Sequence, residues 1–169
     1  GAITLDGVSA GATAKGFVIT SADNIIDGII VIRFGTLGIA ITGTVATGNV
    51  IEECKIGTNG TTGFGNSVGI SISGGASSNT IGGNTVGAGN VVSGNSTAGI
   101  VLQDTGTSGN SIIGNFIGTT VSGTAALGNT SFGVLIFSSA SSNTVGGSTV
   151  GDRNIISGNL TLGVSIEGA

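Results

Sequence analysis

Three acidic residues of this sequence have types and spacing that could do chemistry together. Asp27 lies three residues after Asn24, and Glu52 lies three residues after Asn49, with Glu53 directly behind it. If both asparagines mark the same point of a repeating fold, these carboxylates stack about 5 Å apart. Carboxyl groups at about that separation are what glycosidases use to cleave a glycosidic bond. The spacing therefore predicts an acidic strip at Asp27, Glu52 and Glu53 that could bind or degrade a polysaccharide.

A second interpretation of the strip is structural, and it is the one that we favour. Arg33 and Lys55 are expected near the strip, but the chain contains no histidine for acid–base or metal chemistry and no evident aromatic platform for sugar rings. Exposed charges also prevent bare strands from aggregating. The glycine-rich run at residues 82–87 lacks the lysine of a phosphate-binding loop, and the recurring aspartate of calcium-binding repeats is missing. We therefore expect no catalytic residue, no metal and no cofactor.

Composition excludes several classes of protein. The 169 residues include only four basic side chains and eight acidic ones, a net charge of −4, which rules out the basic patch of a nucleic-acid-binding protein. No run of apolar residues is long enough to span a membrane. The single cysteine, Cys54, cannot form an internal disulfide and is expected to be a buried core residue. Only two Thr-x-Thr pairs occur, too few for an ice-binding face.

Internal repetition is the strongest signal in the sequence. Residues 69–105 align without gaps on residues 133–169, and 18 of the 37 positions are identical. Within this unit, strand-like landmarks recur with a period of about 21 residues, as expected of a repeat architecture. The landmarks are Asn49, Ile70, Asn90, Asn110, Val134 and Asn154. The repeating unit is thus interpreted as three turns, and the chain as about eight turns of about 21 residues each.

Each turn contains short runs in which apolar and polar residues alternate, as at Ile70 and Ile72. This period of two, the excess of β-branched residues and the glycine-rich breaks predict β-strands and no helix. Short strands repeated in this way predict an all-β solenoid in which stacked turns share one core. We expect five isoleucines to point inward, namely Ile72, Ile112, Ile136, Ile156 and Ile166.

Asparagines at fixed positions are expected to form internal ladders, because each side chain can hydrogen-bond its counterparts above and below. One predicted ladder contains Asn49, Asn90, Asn110 and Asn154, and a second contains Asn95, Asn115 and Asn159. These asparagines are interpreted as structural residues.

The segments at residues 110–119, 123–129 and 143–147, with their Gly, Asn and Thr pattern, resemble the right-handed parallel β-helix of the pectate-lyase-like superfold. They are similar, more narrowly, to the Gly/Asn-rich repeats of large bacterial secreted or surface proteins. The resemblance implies a single-stranded right-handed β-helix forming one domain over residues 1–169, with less regular turns at 1–47 and two three-turn super-repeats at 48–169. It also implies an extracellular or cell-surface location. Because the superfold hosts enzymes and structural proteins alike, it does not identify an activity.

The first and last strand-like segments are apolar and show no polar cap. We expect Ile3 and Leu5 at one end, and Val164 and Ile166 at the other, to contact a further β-turn. That turn could belong to a second copy, in which case head-to-tail stacking would produce filaments, or to flanking repeats of a longer chain. The function predicted from the sequence is a non-enzymatic structural repeat module, with a polysaccharide-binding or polysaccharide-degrading β-helix as the alternative.

Overall fold

The computed structural model describes residues 2–168. In these residues the chain forms only β-strands, turns and bends, so no helix is present that could cross a membrane. The strands are β1 (Thr4–Asp6), β2 (Phe17–Ile19), β3 (Ile25–Asp27), β4 (Ile30–Ile32), β5 (Leu37–Thr42), β6 (Val50–Glu52), β7 (Lys55–Ile56), β8 (Val68–Ser73), β9 (Thr80–Gly82), β10 (Val91–Val92), β11 (Ala98–Gln103), β12 (Ser111–Ile113), β13 (Phe116–Ile117), β14 (Phe132–Phe137), β15 (Thr144–Val145), β16 (Ile155–Ile156) and β17 (Leu162–Glu167).

The strands stack into three sheets, and all neighbouring strands within a sheet are parallel. Sheet I contains β1, β4, β7, β10, β13 and β16 in spatial order. Sheet II contains β2, β5, β8, β11, β14 and β17, and sheet III contains β3, β6, β9, β12 and β15. The chain visits the three sheets in turn, and we call one such passage a coil. The predicted all-β fold of stacked parallel strands is therefore confirmed.

The spacing between stacked positions differs from the expected period. In sheet II, Ile39 pairs with Ile70, Ile70 with Ile100, Ile100 with Val134 and Val134 with Val164, so successive partners lie much further apart in the sequence than the landmarks do. The expected period is wrong because its landmarks belong to different sheets. Asn49 precedes a strand of sheet III, Ile70 lies in sheet II, and Asn90 precedes a strand of sheet I. The long internal repeat therefore corresponds to two coils, because β8 and β14 are separated by one strand, β11, in sheet II. The estimate of eight turns was calculated from the incorrect period and no longer follows.

Alternation within the strands builds the core. Ile72 and Ile112 are fully buried, Ile136 is almost so, and Ile156 is half-buried against the core, in line with the sequence-based expectation. Ile166 differs, because 65% of its surface is exposed although it pairs with Ile136. The cause is position, since β17 is the last strand of sheet II and no described strand covers it.

Asparagine ladders follow the corners of the solenoid, and there are three of them within residues 2–168. In each ladder, the backbone N–H and the side-chain amide of one asparagine donate to Oδ1 of the asparagine in the next coil, as from Asn79 to Asn110 at 3.0 and 2.9 Å. We name each ladder after the sheet whose strands it precedes. Ladder I contains Asn90, Asn115 and Asn154; ladder II contains Asn66, Asn95, Asn129 and Asn159; ladder III contains Asn24, Asn49, Asn79, Asn110 and Asn143.

The predicted memberships of two ladders are thereby corrected. Asn49 and Asn110 share ladder III, whereas Asn90 and Asn154 belong to ladder I together with Asn115. The sequence grouped them wrongly because a coil has three corners of similar composition. The interior members of the ladders are nevertheless buried, as expected, whereas the end members are half-buried, namely Asn24, Asn143, Asn154 and Asn159. Asn90 is fully buried, and its amide also donates to the Ile51 carbonyl at 2.7 Å.

Candidate functional site

The acidic strip lies on sheet III and on the corner that follows it. Asp27, at the end of β3, is the register partner of Glu52, at the end of β6, so their equal spacing from Asn24 and Asn49 placed them correctly. Asp27 is exposed and Glu52 is half-buried. Glu53 follows β6 with a left-handed backbone (φ 53°), and its side chain is exposed. The structure thus brings the three predicted residues to one side of the solenoid.

Arg33 was expected beside the acidic strip, but its side chain lies elsewhere. Its guanidinium forms an ion pair with Asp6 and lies 5.6 Å from the centre of the Phe64 ring. This hydrogen-bonded guanidinium lowers the pKa of the Asp6 carboxyl. It is the one ion pair among residues 2–168, so Lys55, in β7 of sheet I, forms none with the strip.

A groove beside the strip was not predicted from the sequence. Two glycine-rich loops, residues 83–89 and 146–153, project from the corner between sheets III and I and pack against each other. They enclose a groove of about 450 Å³. Phe116, a half-buried residue of sheet I, lines it, together with the exposed valines at the loop tips, Val86 and Val150. The available signal was the Gly-Gly-x-Thr-Val-Gly motif that both loops share, at 82–87 and 146–151.

The acidic strip flanks the first of these loops. A Cβ atom on Gly83 would lie 3.5 Å from Oε2 of Glu52, and one on Gly87 would lie 3.9 Å from Oε1 of Glu53. The two carboxylates therefore lie against the loop that forms one wall of the groove. They could accept hydrogen bonds from hydroxyl groups, and Phe116 is an aromatic side chain that the expectation of no sugar-stacking platform overlooked.

The site offers no metal centre. No group of three or more His, Cys, Asp or Glu side chains that could hold an ion occurs within residues 2–168. The carboxylates of the strip can accept hydrogen bonds from polar groups.

Cys54, the residue after Glu53, is buried and occupies the corner that an asparagine occupies in ladder I. Its N–H donates to Oδ1 of Asn90, and its thiol donates to the Glu52 carbonyl at 3.0 Å, much as the Asn115 amide donates to the Ile113 carbonyl. Burial raises the pKa of the thiol to about 11. The thiol is therefore neutral at physiological pH and structural, as expected from the sequence.

The two ends of the solenoid expose the apolar residues that were predicted there. Ile3 is 75% exposed, whereas Leu5 is half-buried. At the opposite end, Val164 and Ile166 are 42% and 65% exposed although they pair in register with core residues of β14. Both ends thus present core positions with no covering strand among the described residues.

Comparison of the chain with protein-family models, with curated proteins and with solved structures finds no match.

Proposed function

We propose that this chain is a non-enzymatic structural β-solenoid module of an extracellular or cell-surface protein, and that its ends stack on further coils. One observation carries the proposal. Val164 and Ile166 continue the core register of Val134 and Ile136, but no strand among residues 2–168 covers them as β17 covers those residues. A solenoid coil cannot bury its apolar face alone and needs a neighbour on each side.

The handedness of the solenoid and its number of coils are part of the same proposal. Successive strands of each sheet are parallel and joined by crossover connections, which are right-handed in nearly all proteins. We therefore propose a right-handed parallel β-helix of about six coils, since sheets I and II each contain six strands. This agrees with the resemblance to the Gly/Asn-rich repeats of bacterial secreted and surface proteins.

A screen for cleavage of acidic and neutral polysaccharides tests the non-enzymatic part. We expect no turnover by the wild-type chain, because the structural assignment makes the strip a set of surface charges that keep bare strands from aggregating. The matched variant is Glu52→Gln, which removes one carboxylate and preserves the size of the side chain. Turnover by the wild type that disappears in Glu52→Gln would overturn the structural assignment in favour of a glycosidase or lyase.

The groove favours a second candidate function, which is binding of a polysaccharide without cleavage. Phe116 offers an apolar ring in the groove. Glu52 and Glu53 do not line the groove, but they lie against its loop 83–89 and offer acceptors for hydroxyls of a sugar that extends beyond it. Calorimetric titration with a panel of oligosaccharides tests this candidate, with Phe116→Ala as the variant and Phe137→Ala as the aromatic control outside the groove. Binding that is lost only in Phe116→Ala supports it, and absence of binding to every sugar rejects it.

A further inference from the structure

The ends of the three asparagine ladders differ in their hydrogen bonding, and this difference bears on what stacks there. Every interior ladder step directs a backbone N–H toward Oδ1 of the following coil. In the last coil, Asn143, Asn154 and Asn159 receive such bonds on their Oδ1 atoms from Asn110, Asn115 and Asn129. Their own N–H groups have no acceptor among residues 2–168. The C-terminal end therefore presents three donors, one at each corner.

Space for a further coil is built into the same end. Gly69, Gly99 and Gly133 occupy equivalent positions in sheet II, where an added Cβ would lie 2.5 to 2.7 Å from the carbonyl oxygen of the equivalent glycine in the next coil. At Gly163, the corresponding position of β17, the nearest atom would be 3.7 Å away. Among the described residues, nothing would clash with a side chain at Gly163. A following coil would place a carbonyl oxygen there, and glycine would then be required.

The N-terminal coil does not offer three matching acceptors. Asn24 has an Oδ1 that accepts no hydrogen bond among the described residues and could receive the N–H of Asn143. The residue before β1, however, is Ile3, and the residues before β2 (11–15) contain no asparagine. A second copy stacked head to tail would therefore satisfy one ladder and leave two N–H groups without an asparagine acceptor. Leaving such donors unpaired disfavours the contact.

Resting on the proposed stacking function, we infer that the C-terminal end binds a parallel β-coil that carries asparagine at all three corners, and not the N-terminal coil of a second copy. The partner is defined by its chemistry. It supplies three Oδ1 acceptors at the spacing of ladders I, II and III, and inward-facing aliphatic residues that cover Val164 and Ile166.

An appended coil tests this inference on the full chain. A copy of residues 139–168 placed after Gly168 supplies an additional coil whose asparagines copy Asn143, Asn154 and Asn159. We expect amide hydrogen exchange at the three original residues to slow by at least about tenfold. In the control, the three appended asparagines are replaced by leucine, and we expect no slowing. Equal exchange with and without the appended coil, or equal slowing in the leucine control, would overturn the inference.

Two further measurements separate the inference from the function on which it rests. Gly163→Ala in the extended chain should abolish the slowing, because its Cβ would meet the backbone of the appended coil. The unextended wild-type chain should remain monomeric in sedimentation velocity at high concentration. Head-to-tail filaments of that chain would contradict the inference and leave the proposed stacking function standing. Polysaccharide turnover dependent on Glu52 would instead contradict the proposed function.

Discussion

At the scale of single residues, the fold depends on polar side chains placed inside it. Asn49, Asn79, Asn90, Asn95, Asn110 and Asn129 are fully buried, and no buried side-chain nitrogen or oxygen among the described residues lacks a partner. Buried amides are tolerated because each one replaces its contacts with water by contacts with its neighbours in the ladder. Cys54 fits the same corner because its thiol donates to a carbonyl where an asparagine amide otherwise does.

Replacement of Asn90 by leucine should destabilise the chain by about 1–3 kcal/mol. The substitution leaves the N–H of Cys54 and the carbonyl of Ile51 without their partners, and it removes the side-chain donor to Asn115. Chemical denaturation measures the free energy of unfolding. Asn84→Leu is the matched control, because Asn84 is exposed and lies outside the ladders. Equal stability of the two variants would contradict the structural role of ladder I.

Titration of Cys54 should make the chain less stable at alkaline pH. Burial raises the thiol pKa from 9.0 to about 11, so the folded state retains a proton that the unfolded state loses between those values. The free energy of unfolding should therefore be constant below pH 9 and fall by about 2 kcal/mol as the pH rises to 11. Denaturation curves from pH 7 to 11 measure the fall. Cys54→Ser should remove it, and an identical fall in that variant would assign it to other groups.

The sequence alone predicted these residues only in part. It indicated that asparagines at strand starts are structural, and that Asp27 and Glu52 stack, because equal spacing from a landmark needs no knowledge of the coil length. It could not assign Asn90 and Asn110 to different ladders, because that requires the number of corners in a coil. The sequence analysis also placed Arg33 beside the acidic strip, whereas in the fold Arg33 forms its ion pair with Asp6.

At the scale of the strands, glycine decides how closely coils approach each other. The second residue of each long strand of sheet II is glycine, from Gly38 in β5 to Gly163 in β17. At Gly133, an added Cβ would meet the Gly163 carbonyl oxygen at 2.5 Å and the Asn159 amide nitrogen at 2.7 Å. These positions therefore exclude a side chain because the strand lies directly against a ladder.

Gly133→Ala should destabilise the chain by about 1–3 kcal/mol, whereas Gly163→Ala should leave its stability nearly unchanged. The two residues occupy the same position in consecutive strands, and they differ in whether a further strand lies beyond them. Thermal and chemical denaturation of both variants provide the comparison. A loss of stability of equal size in both would show that the glycines are needed for a reason other than contact with the next coil.

The number of residues in each coil could not be predicted from the sequence. Stacked partners in sheet I lie close in the sequence where Ile30 pairs with Lys55, and much further apart where Phe116 pairs with Ile155. The differences arise because two connections vary in length. The connection from sheet I to sheet II is short at residues 33–36 and long at 118–131, and the connection from sheet III to sheet I forms a groove-lining loop in only some coils. Strand type was predictable from local alternation, whereas variable loop length hides the true period of the coils.

At the scale of the whole molecule, the solenoid has two chemically different ends. The N-terminal coil has a single ladder asparagine, Asn24, and its Asp6 pairs with Arg33 of the following coil. The C-terminal coil has an asparagine at each corner and exposed core residues. The proposal that a coil with asparagine at all three corners stacks on this end, and not a second copy, rests on this difference between the two ends.

Native-state hydrogen exchange of the wild-type chain, resolved at individual amides, tests the central claim most directly. The account predicts strong protection of the backbone N–H groups of Asn79, Asn110 and Asn115, which donate to the next coil. It predicts exchange at least about a hundredfold faster at Asn143, Asn154 and Asn159, whose N–H groups face the open end. Equal protection of the two sets would contradict an open C-terminal end, and with it the proposal that a further coil stacks there.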